Sequence, residues 1–339
     1  MGVRAGLVGA VPDGVPRLRP AVRTSMAEVF GPVPFDPTRD VGDPGLHGPG
    51  SATWRVIGEP AAILGGVRGL LVQLLHPLAM AGVADHSAFE RDAVGRLRRT
   101  SAYVTTTAFG SLDEVLEAVR AVRWRHVPVR GHAPDGRSYR AEDPTLLAWV
   151  SIALTESFLA TDEVYAPRPC SPAEANAFVL EQSRIAALLD PRVDVERIAE
   201  DLDGRAALRD GTLALPMMEE GLLPRDRRQL RARMRAAEPG LGLTDQGRRA
   251  ISFLEAPPLD GVAARVYPTV LAASLATIPP ERRRQCGWPV DARRDRLARG
   301  RGHALVGALR LGGGRLESIS VAERRVRQAS VESTGAATT

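Results

Sequence analysis

Lysine does not occur in this chain of 339 residues, cysteine occurs twice and aromatic residues make up 4%. All 45 basic residues are therefore arginine, a chain-wide bias rather than a local demand for phosphate contacts. With 40 acidic residues interleaved, the net charge of +5 reads as solvated helix faces, and no nucleic-acid partner is expected. Cys170 and Cys286 lie far apart, which excludes a disulfide framework and a zinc pattern and suits a reducing cytoplasm. The shortage of aromatics leaves Ala, Leu and Val to fill the interior, and that mixture favours helix-on-helix packing over a β-sandwich.

Uninterrupted apolar runs are also missing. The longest apolar region, Ala61 to Ala84, contains Arg68, Gln73 and His76, so it reads as a buried core helix and not a transmembrane span. The apolar stretch between Met1 and Pro20 is too short and too broken by proline for a secretory signal, so a cytoplasmic location is expected. No Gly-x-Ser-x-Gly elbow, Walker A loop, dinucleotide-binding glycine fingerprint or pair of Glu-x-x-His motifs is present.

What is there points to an all-α chain with at most a short β-hairpin. Residues 1–50, rich in Pro and Gly, are expected to form an extended arm with a short helix from Ser25 to Phe30. Residues 51–328 are expected to form one helical domain, and 329–339, small and polar, a disordered tail. Pro60 to Leu75 reads as a helix punctuated by Gly65, Gly66 and Gly69, a surface made for close approach by a neighbouring helix or a flat ligand, and His76-Pro77 breaks or kinks it. The second helix runs from about Glu90 to Phe109 and is capped by Gly110; Ser111 to Glu114 is a capping box that opens a third, reaching about Val127. Residues 127–130 and 137–141 are candidate hairpin strands, Asp143-Pro144 starts a helix through Phe158, and Ser171 caps the next. Arg-rich amphipathic helices follow at Pro224 to Glu238, Val262 to Ile278 and Asp291 to Arg310.

The third helix has the cleanest period. Leu112, Val115, Leu116, Val119, Val122 and His126 share one stripe, so the His126 ring points toward the core while Arg120, Arg123 and Arg125 take the other side. Burying a polar ring without a partner costs roughly 2 to 7 kcal/mol, so His126 is either a core histidine bonded to protein or a ligand to a metal or haem. On the preceding helix Arg96, Arg99, Thr100 and Tyr103 share a face that Thr107 continues. That face is either a solvated arginine stripe or a holder of carboxylates, such as haem propionates. His76 and His86 flank Met80, Gly82 and Val83 and could line the same cavity or cap helix ends. His47, His132 and His303 sit beside glycine in apparent loops, where exposure is expected.

Six segments follow one another in order and spacing: Trp54 to Pro60; Gly65 to Pro77; Gly82-Val-Ala-Asp-His86-Ser87; Arg96-Leu-Arg-Arg99-Thr100; His126-Val-Pro-Val-Arg130-Gly131; and Tyr139 to Pro144. Together they resemble the family of latex-clearing proteins (rubber oxygenases) and MpaB-type oxygenases, over about residues 50–300. The resemblance implies a helical, globin-reminiscent fold that binds haem b and performs dioxygen chemistry at its iron. It implies His126 as the proximal ligand and Arg96 and Thr100 as distal catalytic residues; Arg99 and Tyr103 on the same helix face, and His76 and His86 near the glycine-rich helix, are the further candidates for cofactor binding. Arg99 stands where some members carry a lysine that can cap the iron; a guanidinium has no lone pair to do so. The family's distal glutamate has no counterpart assigned here.

The expected activity is oxygenation of a hydrophobic small molecule, isoprenoid or otherwise alkene-containing, with dioxygen as co-substrate. A non-catalytic haem sensor or carrier, and a cofactor-free Arg-rich helical binding module, are the alternatives.

Overall fold

The computed structural model describes residues 24, 27–86, 93–313 and 316–335. Among them the architecture is all-α, with one two-stranded antiparallel sheet. Of the short helix expected from Ser25 to Phe30, residues 27–30 are helical, while Ser25 and Met26 lie outside the described residues, as do Glu90 and the residues from Met1 to Pro20.

Helix α1 (Ala52–Ile57) is capped by Ser51, whose hydroxyl accepts from the Trp54 amide. The central pair is α2 (Ala61–Gln73) against α6 (Pro144–Tyr165). A Cβ on Gly65 would meet Phe158 Cδ1 at 2.6 Å and Thr161 Oγ1 at 2.7 Å, and one on Gly69 would meet Leu154 Cδ1 at 2.8 Å. A neighbouring helix thus accounts for these two glycines; Gly66 faces open space. Arg68 is 1% exposed on this seam and donates to both carboxylate oxygens of Glu156 and to Ser157 Oγ. Its charge is tolerated in the core because it is paired and hydrogen-bonded.

The chain bends by 99° at His76-Pro77 and continues as α3 (Pro77–His86). Helices α4 (Ala93–Phe109) and α5 (Leu112–His126) are joined by Gly110 and Ser111. Both bonds of the Ser111/Glu114 capping box form. Gly110 is not left-handed; a Cβ there would meet the Thr106 carbonyl at 2.7 Å, so close approach explains it. Strands β1 (Arg130–His132) and β2 (Ser138–Arg140) pair with Gly131 opposite Tyr139, a first strand about three residues later than expected.

Asp143 caps α6 through the Thr145 amide, and the helix runs seven residues past Phe158 to Tyr165. By length and composition α6 could cross a membrane, and 61% of its apolar window is buried inside the protein. The rest of the body comprises α7 (Pro172–Ala187), α8 (Val195–Glu200), α9 (Leu202–Asp210), α10 (Pro216–Glu219), α11 (Arg227–Ala237), α12 (Asp245–Glu255), α13 (Gly261–Leu275), α14 (Pro280–Gln285), α15 (Ala292–Gly313) and α16 (Glu317–Gly335). The last helix continues past Ala329, where a tail was expected. Its Arg325, 0% exposed, donates to the carbonyls of Asp43 and Phe109, tying arm, elbow and C-terminal helix together.

Candidate functional site

Both α4 and α5 lead away from the Gly110–Ser111 elbow, and their cover thins along the way. Ala108, Phe109, Leu112, Val115, Leu116 and Val119 are buried, whereas Val122, His126 and residues 95–97 are half-buried. Arg96 and His126 each lie about 20 Å from the elbow along their helix axes, at 1.5 Å per residue. The stripe from Leu112 thus carries His126 to the open end of the elbow, flanked on the outer face by Trp124, which is 77% exposed.

Burial lowers the His126 pKa, with the Glu142 carboxylate acting the other way, so the ring is neutral at pH 7. Neither ring nitrogen forms a hydrogen bond with a described residue. The other two candidates differ. His76 Nδ1 accepts from the Ala79 amide at 3.3 Å and caps α3, with its ring tilted on Trp149 at 5.5 Å. His86 Nε2 lies 3.1 Å from the Arg130 carbonyl, which fixes that nitrogen as the donor. These two histidines sit at opposite ends of α3, about 15 Å apart along its axis.

On α4, Arg96 is half-buried, Arg99 and Thr100 are exposed, and Tyr103 has a buried hydroxyl with no hydrogen-bond partner. Burial, and then the Arg99 charge, lowers the Arg96 pKa, so the two guanidinium charges act on each other; burial raises that of Tyr103. The Thr107 hydroxyl is spent inside its own helix, donating to the Tyr103 and Val104 carbonyls, and leaves the line of available hydroxyls. The opposite face of α5 is partly occupied too: Arg123 donates to the Val193 and Pro191 carbonyls, and Arg120 pairs with Glu196.

The hairpin that follows His126 is fastened to α3 by Tyr139, whose hydroxyl donates to Asp85 Oδ2 at 2.6 Å. Glu142, just after β2, faces His126 electrostatically; its place beside the Asp143 cap gave no sequence signal for that. Trp149 Nε1 and Gln246 Oε1, also unforeseen, are buried polar atoms without a partner. His132 and His303 are exposed, though in a strand and a helix. His47 corrects the expectation of exposure: Gly45 and Gly48, both left-handed, double the arm back, and Nε2 is buried near Arg184 without a hydrogen bond.

Among the described residues no three of His, Cys, Asp and Glu gather to hold a metal ion. The arrangement offers instead one neutral imidazole, two neighbouring guanidinium groups and an unsatisfied phenol along an elbow of two helices.

The family model for the catalytic domain of ER-bound oxygenase mpaB/B′ and rubber oxygenase matches residues 54–311. No curated protein and no solved structure matches the chain.

Proposed function

The chain belongs to the family of ER-bound mpaB/B′ and rubber oxygenases, and on that premise we propose a haem b-dependent oxygenase that uses dioxygen on a hydrophobic, alkene-bearing small molecule. His126 is the iron's protein ligand in this proposal. The observation that carries it is the contrast among three histidines: His76 and His86 are engaged by protein, while the His126 ring, kept neutral by burial, has no hydrogen bond with a described residue.

The residues present fit a haem. A neutral imidazole on a rigid helix is the donor that haem iron takes, and the unpartnered Tyr103 hydroxyl is a buried donor awaiting an acceptor. When bound, haem supplies the redox chemistry that dioxygen requires. The chain's own groups do the rest. Arg96 and Arg99 offer charge-assisted bonds to carboxylates on the cofactor's rim. Half-buried Arg96 also stabilises negative charge as it develops during the reaction, more strongly than a solvated group would, and the Thr100 hydroxyl adds a donor. The Glu142 carboxylate acts on the His126 ring through space and favours a proton on it, opposing the effect of burial. Half-buried Leu97, Val104 and Val122 give an apolar wall for the substrate, and His76 and His86, both engaged by protein, are not assigned to the iron.

Protein purified after haem supplementation should show a Soret band and consume dioxygen when given a hydrophobic alkene. Reversible dioxygen or carbon monoxide binding without consumption would reassign the chain as a carrier. A colourless protein would remove the haem.

A further inference from the structure

Away from the elbow, α11 and the N-terminal half of α7 enclose an open cleft of about 430 Å³ lined by Pro172, Asn176, Arg227, Arg228, Arg231 and Arg235. The arginines of this region divide into two groups. Arg225 and Arg233 donate to the carbonyls of Met218 and Gly221, and Arg227 pairs with Glu163 while its amide donates to Asn176 Oδ1. Arg228, Arg231 and Arg235 make no ion pair and no side-chain hydrogen bond with any described residue. They are the three that share one face, at spacings of three and four residues, and that face lines the cleft.

Like charges at such spacing repel, so the helix holds this stripe at a cost in stability that a bound anion would reverse. Two helix N-termini reach the cleft, Pro172 opening α7 and Arg227 opening α11, but Glu174 and Asp226 already cap them, so the attraction for an anion rests on the arginine stripe. From Arg228 to Arg235 the stripe extends about 10 Å along the helix, longer than one anionic group. A phosphate brings up to about two negative charges and three acceptor oxygens, which the planar guanidinium fork meets two at a time.

We propose that this cleft is a binding site for a ligand carrying two or more phosphate groups, separate from the oxygenase site and independent of its cofactor. The phosphates come either from a soluble polyphosphorylated molecule or from lipid headgroups at a membrane surface. Tripolyphosphate is the soluble probe; vesicles of phosphatidylcholine with and without phosphatidic acid are the lipid probe. The variants are the double charge reversal Arg228→Glu/Arg231→Glu and, as control, Arg293→Glu/Arg294→Glu, an equally exposed arginine pair on α15. All these side chains are in water, so circular dichroism should confirm unchanged folding.

Calorimetry is expected to show one tripolyphosphate per chain, weakened roughly tenfold or more in the cleft variant and unchanged in the control. Binding to phosphatidic acid vesicles alone, lost in the cleft variant only, would also support the site and name the lipid source. Absence of binding to both probes, or equal weakening in both variants, would overturn it.

Discussion

The Tyr139 hydroxyl donates to Asp85 Oδ2 at 2.6 Å, and this bond joins the hairpin that follows His126 to the end of α3. It fixes where the C-terminal end of α5 can lie, because the strand leaving His126 pairs directly with the strand that carries Tyr139. Burial, and then Asp85, pushes the Tyr139 pKa up to about 12.

Tyr139→Phe should therefore lower stability by about 1–2 kcal/mol at neutral pH, the cost of a hydrogen bond to a charged acceptor. The tyrosine's folded pKa is raised above the unfolded value of about 10, so its contribution is complete below pH 10 and fades as pH rises through about 12. Denaturant midpoints of the two proteins should differ at neutral pH and converge in strong alkali. Equal midpoints at neutral pH would show that the bond fastens nothing.

Gly65 and Gly66 are neighbours in one helix and should respond in opposite directions. Alanine at Gly65 drives a methyl group into Phe158 and Thr161, which should cost about 1–3 kcal/mol. Alanine at Gly66 meets nothing within 4 Å and should gain up to about 1 kcal/mol from helix propensity. Thermal melts of the two variants check this; the same sign for both would contradict the packing of α2 on α6.

His47 makes the fold sensitive to acid. Burial, and then the Arg184 charge, lowers its pKa to about 3, so the unfolded chain takes up the proton first. The stability this provides is present above about pH 6.5 and is lost as pH falls toward 3, at up to about 1.4 kcal/mol per pH unit. His47→Leu should flatten that slope over the same window in urea titrations. Parallel slopes would place the ring in water.

The elbow was legible in the sequence because its signals are local: a capping box at Ser111 and a helical apolar stripe ending at His126. The same local logic explains where reading stopped short. Helix α6 passes Phe158 because the next strong breaker is Pro167, and the short helices α8, α9, α10, α12 and α14, of four to eleven residues, carry too few apolar positions to announce themselves. What the sequence hid depends on distant partners. The Thr107 hydroxyl looked available until its own backbone claimed it, and His47 looked exposed until the arm folded back. Glu142 faces His126 only because the hairpin returns the chain to it, and Gly65 could have served a flat ligand until α6 filled the space.

The haem content of His126→Ala decides whether His126 holds the iron. The ring is half-buried and makes no hydrogen bond with a described residue, so its removal should leave the helical circular dichroism intact. The purified variant, prepared beside the wild type with the same haem supply, is expected to lose the Soret band. A variant that retains the wild-type haem stoichiometry and spectrum would contradict that role.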